Sequence, residues 1–391
     1  MITKPKKPSR LHRLFHTLVV ALFSCLATSL AADKPAPSNV ILIISDDQAW
    51  TDYGFMNHPL VKTPNIDRLA KEGLVFPRGY VPSSLCCPSL ASIITGRYPH
   101  EHKITGNDPR QPPGMARNKF YQSKIFKDGR DVMNANLAKH DLLPSLLAKQ
   151  GYNSLQTGKW WQGNFRNGGF THGMTHGGRH GDEGLDIGRK TMKPIADFID
   201  ESRSKKQPFF VWYAPLLPHD PHTPPERLLA KYRDQVPSIH IARYLAMVEW
   251  FDETIGELIK MLDDRGLTES TMIAYVADNG WIQSPDSPKY APRSKQSPYD
   301  GGLRTPIILR QPGVIPARRD EHPVISIDLF PTILRAAGMT PAQGLPGIDL
   351  TDASAVSSRK EIFGECFHHD LADLHDPSAN LRWRWMIQGE I

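Results

Sequence analysis

Several stretches of the chain carry side chains whose types could do chemistry on an anion. Ser83–Arg97 reads Ser-Ser-Leu-Cys-Cys-Pro-Ser-Leu-Ala-Ser-Ile-Ile-Thr-Gly-Arg. Pro88 falls in the first turn of an expected helix, and Leu90, Ile93 and Ile94 recur at the spacing of one apolar face. Cys86 is therefore expected at the helix start, pointing outward beside free backbone N–H groups. A nucleophile placed there meets an anionic substrate that the helix dipole already stabilises in part. The same residues also fit two ordinary buried thiols at Cys86 and Cys87. Two pairs, Asp46-Asp47 and Asp278-Asn279, offer hard oxygen ligands for calcium or magnesium, or else form solvated turns. Lys159, in Gly158-Lys159-Trp160-Trp161, can hold an anionic oxygen or serve as plain surface charge. His219 lies among the prolines of Pro218-His219-Asp220-Pro221-His222, whose stiffness can fix a histidine in place.

These groups need strands to position them. Val40–Ser45 is a continuous apolar run that stops at Asp46, as expected of a strand buried on both faces. Tyr152–Thr157 leads into Gly158-Lys159, Pro208–Tyr213 into the His219 loop, and Thr271–Ala277 into Asp278-Asn279. Ile307–Leu309 is a further strand. Helical segments alternate with them: Thr63-Pro64 through Glu72, closed by Gly73, then Asp141–Gln150, Ile239–Asp264 and Ser326–Ala337. The alternation predicts an α/β fold, a large mostly parallel sheet with helices on both faces. Ligands of such sheets bind along the C-terminal strand edge, so the scattered charged residues should converge there into a metal-assisted hydrolase site. The Pro-, Asn- and Lys-rich segment Gly106–Asn136 is expected to be surface loop. Gly168–Gly188 contains His172, His176, Arg179 and His180. Its glycines argue against a helical metal site, leaving a substrate-side loop or a plain surface loop.

Taken together, these segments resemble the formylglycine-dependent sulfatases of the alkaline-phosphatase-like superfamily. The C-x-P-S-R signature followed by T-G-R is matched by Cys86, Pro88, Ser89, Thr95, Gly96 and Arg97, with Leu90 in place of the arginine. The G-K-W-H motif is matched through Lys159, with Trp161 in place of the histidine, and His219 falls in the P-H-x-P element. Lys295 and Tyr299–Pro306 match the lysine and the following E-G-G-x-R-x-P segment, with Asp300 for glutamate. The resemblance runs from about Asn39 to the C-terminus. It implies that a formylglycine-generating enzyme oxidises Cys86 to an aldehyde whose hydrate is the nucleophile. It further implies that Asp46, Asp47, Asp278 and Asn279, with the converted Cys86, hold one Ca2+. Lys159 and Lys295 would neutralise the sulfate oxygens, His219 would protonate or orient the leaving group, and Arg97 would add a substrate contact. The expected reaction is hydrolysis of a sulfate ester on a small molecule or glycan. A phosphodiesterase or phosphonate hydrolase of the same fold, or a non-catalytic sulfated-glycan-binding protein, are the alternatives. Leu90 removes a cation and Trp161 a histidine, and losing one such electrostatic partner commonly costs about 2–4 kcal/mol in barrier.

Residues 1–31 carry five basic residues and no acid, then an apolar run from Leu14 to Leu30 and Ala31-Ala32-Asp33, the pattern of a signal peptide for export to the periplasm or exterior. Without that leader the formal charge of +6 loses five positive charges and falls to +1, so charge invokes neither nucleic acid nor a membrane as partner. Cys25 lies in the leader, and the remaining Cys86, Cys87 and Cys366 make an odd set that argues against a disulfide framework. The expected organisation is a catalytic domain over 39–350 and a partial C-terminal subdomain over 351–391, ending in an alternating strand from Leu381 with no membrane span after leader removal.

Overall fold

The structure, a computed structural model, describes residues 38–389 together with Met1 and Thr3; the body of the expected leader and its cleavage pattern lie outside the described residues. Eight strands form the main sheet in the order β5 (His172–Gly173), β4 (Asn153–Gly158), β6 (Phe209–Ala214), β1 (Asn39–Ser45), β7 (Thr271–Ala277), β8 (Ile307–Arg310), β2 (Leu74–Phe76) and β9 (Arg318–Arg319). All neighbours from β5 to β7 are parallel, β8 runs antiparallel to both β7 and β2, and β9 pairs parallel with β2. The mostly parallel α/β sheet expected from the alternation of elements is what the chain forms.

Alternation along β1 assigns its side chains to two apolar layers. Val40, Leu42 and Ile44 face the layer that holds the Cys86–Thr95 helix and the Leu329–Ala336 helix. Ile41 and Ile43 face the layer of the Lys193–Ser204 helix and the long Ile239–Asp263 helix. Both faces are covered, which is why the central strands read as continuous hydrophobic runs.

The register sets the functional edge. Ser45 pairs with Ala277, Ile43 with Tyr213, and Gly158 with Ala214, so the C-terminal ends of β1, β7, β4 and β6 finish within about one residue of one another. Asp46, Asp278 and Lys159 are each the first residue past such an end. Gly158 has a left-handed backbone (φ 73°), and a Cβ on it would lie 1.9 Å from the Ala214 carbonyl oxygen. Only glycine fits the turn that sends Lys159 toward the rim.

The segment expected as surface loop is instead partly helical, with helices at Arg117–Tyr121 and Lys124–Leu137. The Ser123 hydroxyl caps the second helix by accepting from the Phe126 N–H at 3.2 Å. Phe126, Arg130, Met133 and Leu137, spaced by four, three and four, form its buried face. The dense Lys and Asn residues on the opposite face obscure that period in the sequence.

Past residue 350, β11 (Glu361–Phe367) and β12 (Leu381–Gln388) form an antiparallel pair. It packs Ile362 and Cys366 against Tyr80, Val81 and Ile325 from the short parallel pair β3 (Gly79–Tyr80) and β10 (Val324–Ile325) and its flank. Cys86, Cys87 and Cys366 are free and buried, as their odd number suggests.

The helix that carries Cys86 is pinned from behind by His102. Nδ1 of this buried ring accepts from the Ile104 N–H at 3.1 Å, so the neutral imidazole keeps its proton on Nε2, 3.0 Å from the Ser92 hydroxyl. Burial, reinforced by His140 and His100, holds its pKa down to about 3 from the ordinary 6.5. The folded state thus refuses a proton that the unfolded state accepts, and stability is lost as pH falls below 6.5, by about 2 kcal/mol at pH 5 from this group. Denaturant unfolding at pH 7 and pH 5 should show a smaller pH loss in His102→Gln than in the wild type; equal losses would contradict this assignment. Gly158→Ala should lower unfolding free energy by about 2–4 kcal/mol through backbone strain and the clash with Ala214, and a change below about 0.5 kcal/mol would show that the turn is not constrained.

Candidate active site

Six segments meet at the level strand ends. Asp46 and Asp47 leave β1, Lys159 leaves β4, His219 comes from the loop after β6, Asp278 and Asn279 leave β7, Lys295 lies before the short Asp300–Leu303 helix, and Cys86 opens its own helix. Asp47 takes a left-handed conformation (φ 63°), which aspartate tolerates better than most residues and which ends the strand abruptly after Asp46.

The contacts interlock. Lys159 Nζ lies 2.6 Å from Asp46 Oδ1 and 3.5 Å from Asp278 Oδ2. Lys295 Nζ donates to both carboxylate oxygens of Asp47 at 2.5 and 2.7 Å and lies 3.0 Å from Cys86 Sγ. Asn279 Nδ2 donates to Asp47 Oδ1 at 2.6 Å, and the Asp47 N–H to Asp278 Oδ1 at 3.1 Å. His219 Nδ1 sits 3.1 Å from Asp220 Oδ1, which orients the ring with Nε2 toward the cluster, 3.5 Å from Asp47 Oδ2.

Burial raises the energetic stakes of every charge here. It opposes ionisation of Asp47, but Lys295, His219 and Lys159 outweigh it and hold that carboxyl below its ordinary value. Burial, with Asp46 beside it, pushes Asp278 up to about 7. Burial also works against charge on both lysines, yet Asp46 raises Lys159, and Asp47 raises Lys295, above the ordinary lysine range. Cys86 is pushed up to about 12 by burial, so as a plain thiol it is protonated at neutral pH and a poor nucleophile. The outward position expected for Cys86 is corrected accordingly: it is 1% exposed, and the neighbouring Cys87 N–H already donates to Asn107 Oδ1 at 3.0 Å.

A divalent cation fits this cluster. Asp46 Oδ2, Asp278 Oδ2 and Asn279 Oδ1 are buried and have no hydrogen-bond donor, although the lysines and Asn279 satisfy the other oxygens around them. Ligand atoms of Asp46, Asp47, Cys86 and Asp278 lie within 4.8 Å of one another. Buried oxygens without donors are costly, and hard oxygen donors suit calcium or magnesium. With Asp278 ionised, three carboxylates against two ammonium groups leave one net negative charge, which a divalent cation converts to one positive charge, matching a singly charged ester anion.

Not every residue singled out in the sequence reaches the rim. Arg97 follows the C-terminus of the Cys86–Thr95 helix, about 15 Å along its axis from Cys86. It donates to Glu101 Oε1 at 3.0 Å and to the Gly344 carbonyl at 3.1 Å, which corrects the expected substrate contact. Leu90 is buried in the apolar layer. Of the three histidines in the glycine-rich loop, only His180 enters the site, its ring 4.4 Å from the Trp161 ring and 5.8 Å from that of His219. His172 and His176 lie toward Glu201 and Glu183 on the outside. Burial, followed by Arg179 and Lys159, holds His180 well below the ordinary histidine range. Sequence reasoning missed Arg130, whose guanidinium lies 5.4 Å from the Trp161 ring; its place on the Phe126–Leu137 face was the available signal.

Comparison with known proteins places this geometry. The family model described as Sulfatase matches residues 38–339. The N-acetylgalactosamine-6-sulfatase of Rattus norvegicus is 29% identical, over 85% of this chain and 68% of that protein. The ulvan-active sulfatase of Formosa agariphila is 24% identical, over 85% and 68%. The crystal structure of Ps i-CgsB superposes with a TM-score of 0.69 at 24% identity, covering 85% of this chain and 80% of that one, and so shares the fold.

Calcium added to chelator-stripped protein should raise its thermal midpoint, with about 2.7 kcal/mol of stabilisation at a hundredfold excess over the dissociation constant. Asp278→Asn should lose most of that response in differential scanning calorimetry. A wild-type midpoint indifferent to calcium would show that the three unpartnered oxygens do not hold a metal.

Proposed function

The chain belongs to the sulfatase family, and on that premise we propose that it hydrolyses a sulfate ester borne by a carbohydrate, using a formylglycine made from Cys86 and one calcium ion. The observation that carries this reading is the set of buried oxygens on Asp46, Asp278 and Asn279 left without donors beside two buried lysines and Cys86. When present, the calcium ion supplies Lewis-acid polarisation of an anionic oxygen and the hydrated formylglycine a nucleophilic hydroxyl. Asp46, Asp47, Asp278 and Asn279 would be its ligands.

The rest is the work of ordinary side chains. Lys159 and Lys295 are held by Asp46 and Asp47 before any substrate arrives, so their charges need no reorganisation to meet the sulfate oxygens. His219, oriented through Asp220, presents Nε2 to the pocket, where it can give a proton to the leaving alcohol oxygen or hold that oxygen in line. Near-complete burial of the lysines and aspartates excludes water that would weaken these interactions. Trp161, where the family has histidine, packs perpendicular to the His180 ring, so an imidazole still borders the pocket by a different route.

A carbohydrate substrate is supported by relatives whose names specify N-acetylgalactosamine-6-sulfate and ulvan chemistry. Maturation would require a formylglycine-generating enzyme acting on Cys86 before or during export through the N-terminal leader. Among the described residues no helix is long and apolar enough to cross a membrane.

The test co-expresses the chain with a formylglycine-generating enzyme, maps the Cys86 peptide by mass spectrometry, and assays sulfate and phosphate esters side by side. The expected results are an aldehyde at position 86, preferential sulfate release, and a loss of at least about a thousandfold in kcat for Cys86→Ala. Full activity in Cys86→Ala, or turnover of phosphate esters alone, would contradict the reading.

A further inference from the structure

Trp161 is the wall between the catalytic rim and a second cavity of about 790 Å³. On the rim side, Lys159 Nζ lies 5.9 Å from the indole centroid. On the other side the cavity is lined by Tyr121, Lys127, Arg130, Asn134 and Arg179 among others, with Lys124, itself paired to Asp128 at 2.6 Å, and a single lining carboxylate, Asp131.

Two guanidinium groups flank the Trp161 ring, Arg179 at 4.9 Å and Arg130 at 5.4 Å, and they are not equivalent. Arg179 is neutralised by the fully buried Asp108, with contacts of 2.8 and 3.1 Å, and its other face covers Tyr121 at 4.7 Å. Arg130 is only 9% exposed, yet among the described residues no carboxylate lies within 4.0 Å of it. Its polar contacts are the Asn107 carbonyl at 2.9 Å and the sulfurs of Met133 and Cys87 at 3.7 and 4.0 Å. A buried cation beside a second cation is costly without a counter-charge. Lys127, one helical turn before it, is exposed and likewise has no carboxylate partner among the described residues. In the same wall, Trp161 Nε1 lacks an acceptor and Asn134 Oδ1 lacks a donor, the complement of a hydroxyl-bearing ligand.

We propose that this cavity is a second oxyanion subsite: Arg130 and Lys127 bind a sulfate or carboxylate group on the sugar next to the one whose ester is cleaved, making the substrate an oligosaccharide with at least two negative charges. The inference rests on the sulfatase reading for the first ester and adds the recognition of a second charge. Trp161 thereby acquires a role as the partition that spaces the two subsites.

The test uses the full calcium-loaded chain in two parallel measurements. Turnover of a singly charged aryl sulfate reports on the sulfatase reading alone. Calorimetry with a singly sulfated disaccharide, and with the same disaccharide carrying a second sulfate or a uronate carboxylate, reports on the cavity alone. The second charge should tighten binding about tenfold at low salt and less at high salt. Arg130→Gln and Lys127→Ala should each erase most of that gain while binding the singly sulfated disaccharide as the wild type does. Lys127 is exposed, so its variant carries the test if Arg130→Gln does not fold. Which second group binds more tightly identifies the oxyanion. Equal affinity of the wild type for singly and doubly charged disaccharides, or variants that weaken both ligands alike, would overturn the proposal.

Discussion

The site depends on keeping three carboxylates and two ammonium groups together where water is excluded. Neither set of charges is tolerable there without the other. Removing a lysine would leave adjacent buried anions, and removing an aspartate would leave a buried cation, each a penalty of several kcal/mol. The mutual pairing of Lys159 with Asp46 and of Lys295 with Asp47 is what allows the cluster to exist. It remains one positive charge short of balance, with three oxygens lacking a hydrogen bond, and that residue of unfavourable energy is the capacity to bind a cation.

The fold enforces this constraint through register rather than through any one contact. Because the central strands end level, the first residue after each strand is delivered to one line, and neighbouring positions on that line are about 4.8 Å apart. The Ala277 partner of Ser45 brings Asp278 beside Asp46, and the Ala214 partner of Gly158 brings Lys159 across β6. A slip of one residue in any strand would turn its charged end to the opposite face. The apolar layers on both faces hold the register, so the hydrophobic core serves the chemistry by fixing where charges emerge.

The strand ends were legible in the sequence because an apolar run that stops at an acid or a lysine marks both the strand and the exit of its functional group. Asp46, Lys159 and Asp278 could be read from that pattern. Arg97 could not, since its motif neighbours Cys86 in sequence while the helix between them carries it to the far end. The helix of Lys124–Leu137 was hidden because its exposed face carries the residues that mark loops, and Arg130 was hidden with it. His180 was one of three similar histidines, and only the turn through His180, Gly181 and Asp182, with their positive φ angles, selects it for the pocket. Local composition registers solvent exposure well and three-dimensional direction poorly.

The most direct test is a crystal structure of the calcium-loaded protein with the ion located by its anomalous scattering. The account predicts one ion about 2.3–2.6 Å from Asp46 Oδ2, Asp278 Oδ2 and Asn279 Oδ1, with Lys159 and Lys295 still paired to Asp46 and Asp47. An ion bound elsewhere, or the same three oxygens satisfied by protein donors with no ion among them, would contradict it.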